Sequence, residues 1–167
     1  MRLFTEILGG GMASRLFQSA REERGLAYAI DAYQEPYEEI GVLGIFSGAA
    51  ADRAVELAEL CADEIRTLAT DGPTDAELSR AKAVARAGLW MSDESPASRA
   101  GRNAAQTLIH GAPVSSEASQ ARIDAVTAND LRRAGGRVLA SGLSATSVLG
   151  PKAANGAGAA FAKRLKK

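Results

Sequence analysis

The chain has 167 residues, enough for one domain whose core needs no cross-links. Hydrophobic residues make up 46% and charged residues 24%, and 20 Lys+Arg balance 20 Asp+Glu to a formal net charge of zero. That balance argues against a nucleic-acid binder, whose footprint is basic, and no apolar run is long enough to span a bilayer.

Leu3 to Leu8 reads as a short helix ended by Gly9-Gly10-Gly11, where glycine is expected to supply left-handed terminal geometry. Met12 to Arg24 reads as a second helix, with Met12, Leu16 and Phe17 at helical spacing and Gly25 as its stop. The period then changes to two: Leu26, Tyr28, Ile30 and Ala32 are expected on one face of a strand. Glu35 to Glu39 is a polar turn, and Val42 to Ser47 is the next strand. The connection is too short for a crossover helix, so the pair is antiparallel.

Asp52 to Ala69 is the clearest amphipathic helix, with a stripe of Ala54, Leu57, Ala58, Cys61, Ile65 and Leu68. Asp71-Gly72-Pro73 breaks it. Thr74 and Glu77 form a capping-box signature for a helix to about Ser92. Ser95-Pro96 starts another, to about Ile109, with Gly111 as its stop. Further helices cover about Ser116 to Val126 and Thr127 to Leu139. Leu143 to Leu149 reads as a final strand.

Strands and helices are segregated, which predicts an α+β fold with an antiparallel or mixed sheet and helices packed on one face. The expected organisation is one domain over residues 1–150, followed by a flexible, Ala/Gly-rich basic tail over 151–167.

The chemistry is bounded by what is scarce. His110 is the only histidine and Cys61 the only cysteine. A catalytic zinc needs about three protein ligands, and no His-Glu-x-x-His or its inverse is present. One cysteine also excludes an intrachain disulfide and suits a reducing compartment. His110, at a helix end, is expected to complement the helix dipole. Cys61, in an apolar stripe, is expected to be a small buried hydrophobe. Glu22-Glu23 and Glu38-Glu39 read as solvated charge. Gly9-Gly10-Gly11 lacks the preceding strand and the Lys-Ser/Thr pair of a phosphate cradle. The opening Met1-Arg2-Leu3-Phe4-Thr5-Glu6 lacks the apolar core of a signal peptide. The expected setting is cytoplasmic, or periplasmic where a longer precursor carries a signal.

One segment carries more. Leu8-Gly9-Gly10-Gly11-Met12-Ala13-Ser14-Arg15-Leu16-Phe17-Gln18, followed by Arg21-Glu22-Glu23-Arg24-Gly25-Leu26-Ala27-Tyr28, resembles the second-half signature of the pitrilysin/insulinase-type zinc peptidases, which include mitochondrial processing peptidase. The downstream layout over about residues 3–150 is similar to that family too. It shows a strand pair, a long helix, a capped helix at Thr74-Asp75-Ala76-Glu77-Leu78, and the run Ile123-Asp124-Ala125-Val126-Thr127-Ala128-Asn129-Asp130-Leu131.

The resemblance implies a metallopeptidase (LuxS/MPP-like) half-domain of the C-terminal, non-zinc kind, lacking its first strand and most of its first helix. It implies that zinc belongs to another half or a partner chain, with no metal ligand here. It implies substrate-binding roles for Arg21 and Tyr28, with Ser14, Arg15 and Arg24 as structural or rim residues. Arg21 would offer donors to peptide carbonyls, and Tyr28 would donate its hydroxyl to a developing oxyanion. The implied ligand is a peptide or unfolded polypeptide. The implied partner is a zinc-bearing half or subunit, in a homodimer or hetero-complex. The alternative is a non-proteolytic assembly subunit like the core proteins of respiratory complex III. On either reading the chain alone is not expected to be an active enzyme.

Overall fold

The structure, a computed structural model, describes residues 1–37 and 39–166. Glu38, from the expected Glu38-Glu39 charge pair, and Lys167, from the expected tail, lie outside the described residues. In chain order the elements are α1 (Arg2–Gly9), a π-helix (Phe17–Glu23), β1 (Ala27–Pro36), β2 (Gly41–Ala49), a 3-10 turn (Ala51–Arg53), α2 (Ala54–Thr70), α3 (Asp75–Glu94), α4 (Pro96–His110), α5 (Ser116–Ala125), α6 (Ala128–Ala140), a 3-10 turn (Lys152–Ala154) and α7 (Ala157–Leu165).

These form two compact units: residues 1–74 with 128 onward, and residues 75–127. The expectation of one domain over 1–150 therefore changes. Helices α3, α4 and α5 are contiguous in sequence and pack on one another, which sets them apart as their own unit.

In the first unit, α2 is the centre. Leu57, Leu60, Cys61, Ala62, Ile65, Leu68 and Ala69 are all buried on it. That face is wider than the predicted stripe because α1, α6 and α7 all pack against this helix. Phe4 and Leu8 of α1 are fully buried, as are Leu16 and Leu68. Gly135 of α6 brings its backbone onto Ala69 and Phe4; a Cβ there would stand 2.7 Å from Ala69 Cβ.

The glycines after α1 act differently from expectation. Gly10 has φ −81°, an ordinary right-handed value, and Gly9 is small because α1 packs against strand backbone. A Cβ at Gly9 would sit 2.6 Å from the Ala32 nitrogen. Of the three, only Gly11 has positive φ, at 141°.

The predicted α-helix through residues 12–24 is wound over Phe17–Glu23 as a π-helix. Apolar spacing is blind to one added residue over so short a stretch. Strands β1 and β2 pair antiparallel, with Ala32 opposite Ile45 and Tyr33 opposite Gly44, and a bulge falls between Ala27 and Ala29. The bulge breaks the predicted shared face: Ala32 is 7% exposed, but Tyr28 is 73% exposed.

Leu143–Leu149 forms no strand, which corrects that expectation. Alternation needs a ladder partner, and among the described residues the sheet contains β1 and β2 alone. Leu143 and Leu149 stand in solvent. The predicted flexible tail is also corrected. Its residues 157–165 form α7, packed on α2. Arg164 grips Asp63 through Nε at 2.7 Å and through a second nitrogen at 2.8 Å. Alanine is the best helix former, and small side chains allow close approach to α2.

In the second unit the caps predicted for α4 are in place. The Ser95 hydroxyl oxygen accepts from the Ser98 amide at 3.3 Å, Pro96 opens α4, and Gly111 closes it at φ +80°. Arg86 pairs with Asp124 at 2.6 Å, and Trp90 Nε1 donates to Gln120 at 2.8 Å.

Candidate substrate-binding site

Arg21 and Tyr28 are placed by one continuous piece of backbone. Arg21 lies late in the π-helix. Its carbonyl accepts from the Gly25 amide at 3.2 Å, and the Ala20 carbonyl accepts from Leu26 at 2.7 Å. The second bond is a wide closure over six residues, and with Gly25 in the left-handed region at φ +58° it turns the chain directly into β1. Leu26 and Ala27 anchor the junction in the core. Single π-turns recur at functional sites because they re-aim side chains, and β-bulges do the same in strands. Here one of each flanks the junction.

The Arg21 guanidinium lies over the Phe17 ring, 4.7 Å from its centroid. Its Nε is 3.9 Å from a Glu22 carboxylate oxygen, and the side chain is 46% exposed. A planar cation held over a ring keeps its edge donors turned outward. The Tyr28 ring lies across Gly48 of β2, where any Cβ would overlap it. Both predicted residues are thus accessible and sit on adjoining elements.

Two neighbouring residues are tied into the backbone. Ser14 is buried, and its hydroxyl donates to the Gly11 carbonyl at 2.6 Å. Arg15 donates to the Gly72 carbonyl at 3.1 Å. Both are structural.

The donors for a metal do not converge. Among the described residues no three His, Cys, Asp or Glu side chains gather at metal-binding distance. His110 ends α4, in the second unit. Cys61 is buried in α2, and burial, with Glu64 adding to it, pushes its thiol up to about 12. These residues do not fit a zinc site.

The second unit holds a cavity of about 410 Å³ lined by Trp90, Asp93, Arg99, Arg102 and Ser116 among others. Its polar groups satisfy one another. Asp93 accepts from both Ser116 and Arg102. The Ser116 hydroxyl first, and Arg102 second, hold the Asp93 carboxyl below the usual carboxylate range.

One surface escaped the sequence reading. Phe46 (63% exposed) and Tyr33 (42%) share the outer face of the ribbon with Tyr28. The signal was the period-two run Val42, Gly44, Phe46, Gly48, in which each glycine makes room for a tyrosine of β1.

The sequence profile of the peptidase M16 inactive domain matches residues 1–84. The chain belongs to this family. It is 34% identical over 151 residues to an uncharacterized zinc protease of Streptomyces coelicolor, covering 90% of this chain and 33% of that protein. It is 38% identical over 109 residues to another from Bacillus subtilis, covering 65% of this chain and 27% of that one. The chain thus spans a third or less of the length of these two relatives. The crystal structure of a peptidase M16 inactive domain from Pseudomonas fluorescens superposes with a TM-score of 0.70 at 27% identity, over 81% of this chain and 32% of that one. A chain of complex III2 from Candida albicans shares the fold, with a TM-score of 0.71 at 18% identity, over 81% of this chain and 34% of that chain. Membership of the M16 inactive-domain family agrees with the resemblance read from residues 8–28 and with the α+β half-domain architecture.

Proposed function

We propose that this chain is the substrate-gripping, non-catalytic half of a zinc-dependent endopeptidase, and that Arg21 and Tyr28 hold the peptide. The observation that carries this reading is their joint placement. A π-helix closing through left-handed Gly25 into a bulged strand leaves both side chains accessible on adjoining elements. Arg21 would hold backbone carbonyls with its outward donors. Tyr28 would hydrogen-bond the scissile carbonyl as negative charge develops on it. Zinc and the attacking water would come from a partner half or chain carrying His-x-x-Glu-His, in a dimeric or hetero-oligomeric assembly set in the cytoplasm.

The test is reconstitution with such a zinc-bearing chain and an unstructured fluorogenic peptide. Arg21→Ala and Tyr28→Phe should each lower turnover by about a hundredfold, with folding unchanged. Full activity in both variants would remove the proposed roles.

The fold shared with complex III2 supports a second reading, a non-proteolytic assembly subunit. Under that reading the chain would join its partner stoichiometrically, and both variants would leave assembly and function intact.

A further inference from the structure

Ser141 to Gly150 connect α6 to the Lys152–Ala154 turn and take no part in the Arg21–Tyr28 region. None of these ten residues is charged, and all ten are exposed. Leu143 is 84% exposed and Leu149 fully so. Among the described residues, no main-chain hydrogen bond joins 144–149 to another segment. Thr146 lies against α7: a Cβ on Gly158 would stand 3.3 Å from the Thr146 Cβ. Alternate residues of a strand point to opposite sides. An extended 143–149 therefore puts Ser144, Thr146 and Val148 on the α7 side, and Leu143, Ala145, Ser147 and Leu149 on the free side. Natural edge strands carry charges or prolines that block pairing. This stretch has neither.

We propose that residues 143–149 pair with the same residues of a second copy, in an antiparallel two-strand ladder whose two-fold axis passes through Thr146. The order of the residues carries this. About Thr146, Leu143 falls opposite Leu149, Ser144 opposite Val148, and Ala145 opposite Ser147. Leucine meets leucine at both ends of the free side, small residues meet between them, and Thr146 meets Thr146. Cross-strand apolar and threonine pairs are the units that stabilise a ladder. A two-fold contact sets one patch against itself, so the patch must be self-complementary. An uncharged stretch meets its own copy without like-charge repulsion. Moving the centre by one residue loses both leucine pairs, which fixes the register. The ladder is short, so the dimer belongs to the weak, concentration-dependent class. Neither Arg21 nor Tyr28 takes part, and the inference stands apart from the peptide-gripping reading.

The experiment is sedimentation equilibrium of the whole chain up to about 1 mM, where a weak dimer is populated. Ala145→Lys brings two like charges to diagonal positions about 7–8 Å apart and should weaken the dimer about fivefold at low salt, less at high salt. Adding Ser147→Glu to the same chain should restore it, because positions 145 and 147 face each other in this register. Both sites are exposed and outside the helices and strands, so circular dichroism should not change. Thr146→Cys should cross-link to itself under mild oxidation. Leu143→Cys, roughly 20 Å from its own copy, should cross-link only when mixed with Leu149→Cys. The native Cys61 is buried, so the unsubstituted chain is the uncross-linked control. A chain that stays monomeric up to about 1 mM overturns the proposal. A dimer that ignores Ala145→Lys and leaves Thr146→Cys uncross-linked overturns it too, since another surface then holds the copies together. If the amides of 143–149 gain exchange protection only when a different protein is added, the partner strand is that protein's and the proposal falls.

Discussion

The Tyr28 ring occupies the space that a side chain at Gly48 would fill. The tyrosine's position is therefore set by a residue 20 places later in the chain, on the neighbouring strand. The colliding atoms would be the far end of the ring, and Tyr28 is largely in solvent. Gly48→Ala should therefore lift the ring without breaking the fold. Stability should change by less than about 1 kcal/mol, whereas NMR contacts between the Tyr28 ring and residue 48 should disappear and peptide affinity should fall. Gly44→Ala should displace Tyr33 in the same way.

Two adjacent glycines in α6 should respond with opposite signs. At Gly135 an added Cβ meets Ala69 Cβ at 2.7 Å and Ala69 Cα at 2.9 Å, and the latter is backbone that cannot swing away. Gly135→Ala should destabilise the chain by about 1–3 kcal/mol. At Gly136 nothing lies within 4 Å. Gly136→Ala should stabilise it by up to about 1 kcal/mol through helix propensity. Urea denaturation of the two variants checks the pair.

Cys61 should be inert in the native chain. Its thiol is buried in α2 and pushed up to about 12, so almost no thiolate exists at pH 8. A maleimide or disulfide reagent should label it only after denaturant is added. Rapid labelling of folded protein would mean that α2 opens locally.

Acid should loosen α7 first. The Arg164 hydrogen bond is the main influence holding the Asp63 carboxyl below its ordinary value, with Arg66 and Arg24 adding to it. The folded value lies below the unfolded one. The stabilisation is therefore complete above the unfolded carboxylate range and is lost as pH falls through the folded value. Hydrogen exchange of α7 amides should quicken at acid pH, once corrected for intrinsic rates, ahead of exchange in α2. Asp63→Asn should make α7 exchange quickly at neutral pH and flatten that dependence.

The elements legible in the sequence are those fixed by local chemistry. Ser95-Pro96 and Gly111 bound α4 as written, and the apolar stripe of α2 is buried. Elements that depend on distant partners were not legible. Leu143–Leu149 alternates like a strand but has no ladder partner among the described residues. The Ala/Gly-rich residues 157–165 look featureless until α2 and Asp63 are beside them. At the site, Arg21 and Tyr28 came from the resemblance of residues 8–28 to the family signature, since their residue types alone fit a surface ion pair and a half-buried strand aromatic. The bulge that turns Tyr28 outward, and the glycines that lay the tyrosine rings down, required strand register. Register is set by pairing, which no single strand's sequence contains.

The division of the first unit into two stretches bears on the order in which the molecule can be built. Residues 75–127 are contiguous, so their helices can close on one another as soon as they leave the ribosome. Helix α2 must wait. The helices that cover it, α6 and α7, arrive only after that intervening stretch has been made, and Asp63 meets Arg164 across 101 residues. During synthesis α1 alone of these helices is at hand to cover α2, and the side that meets α6 and α7 stays open until those helices are made.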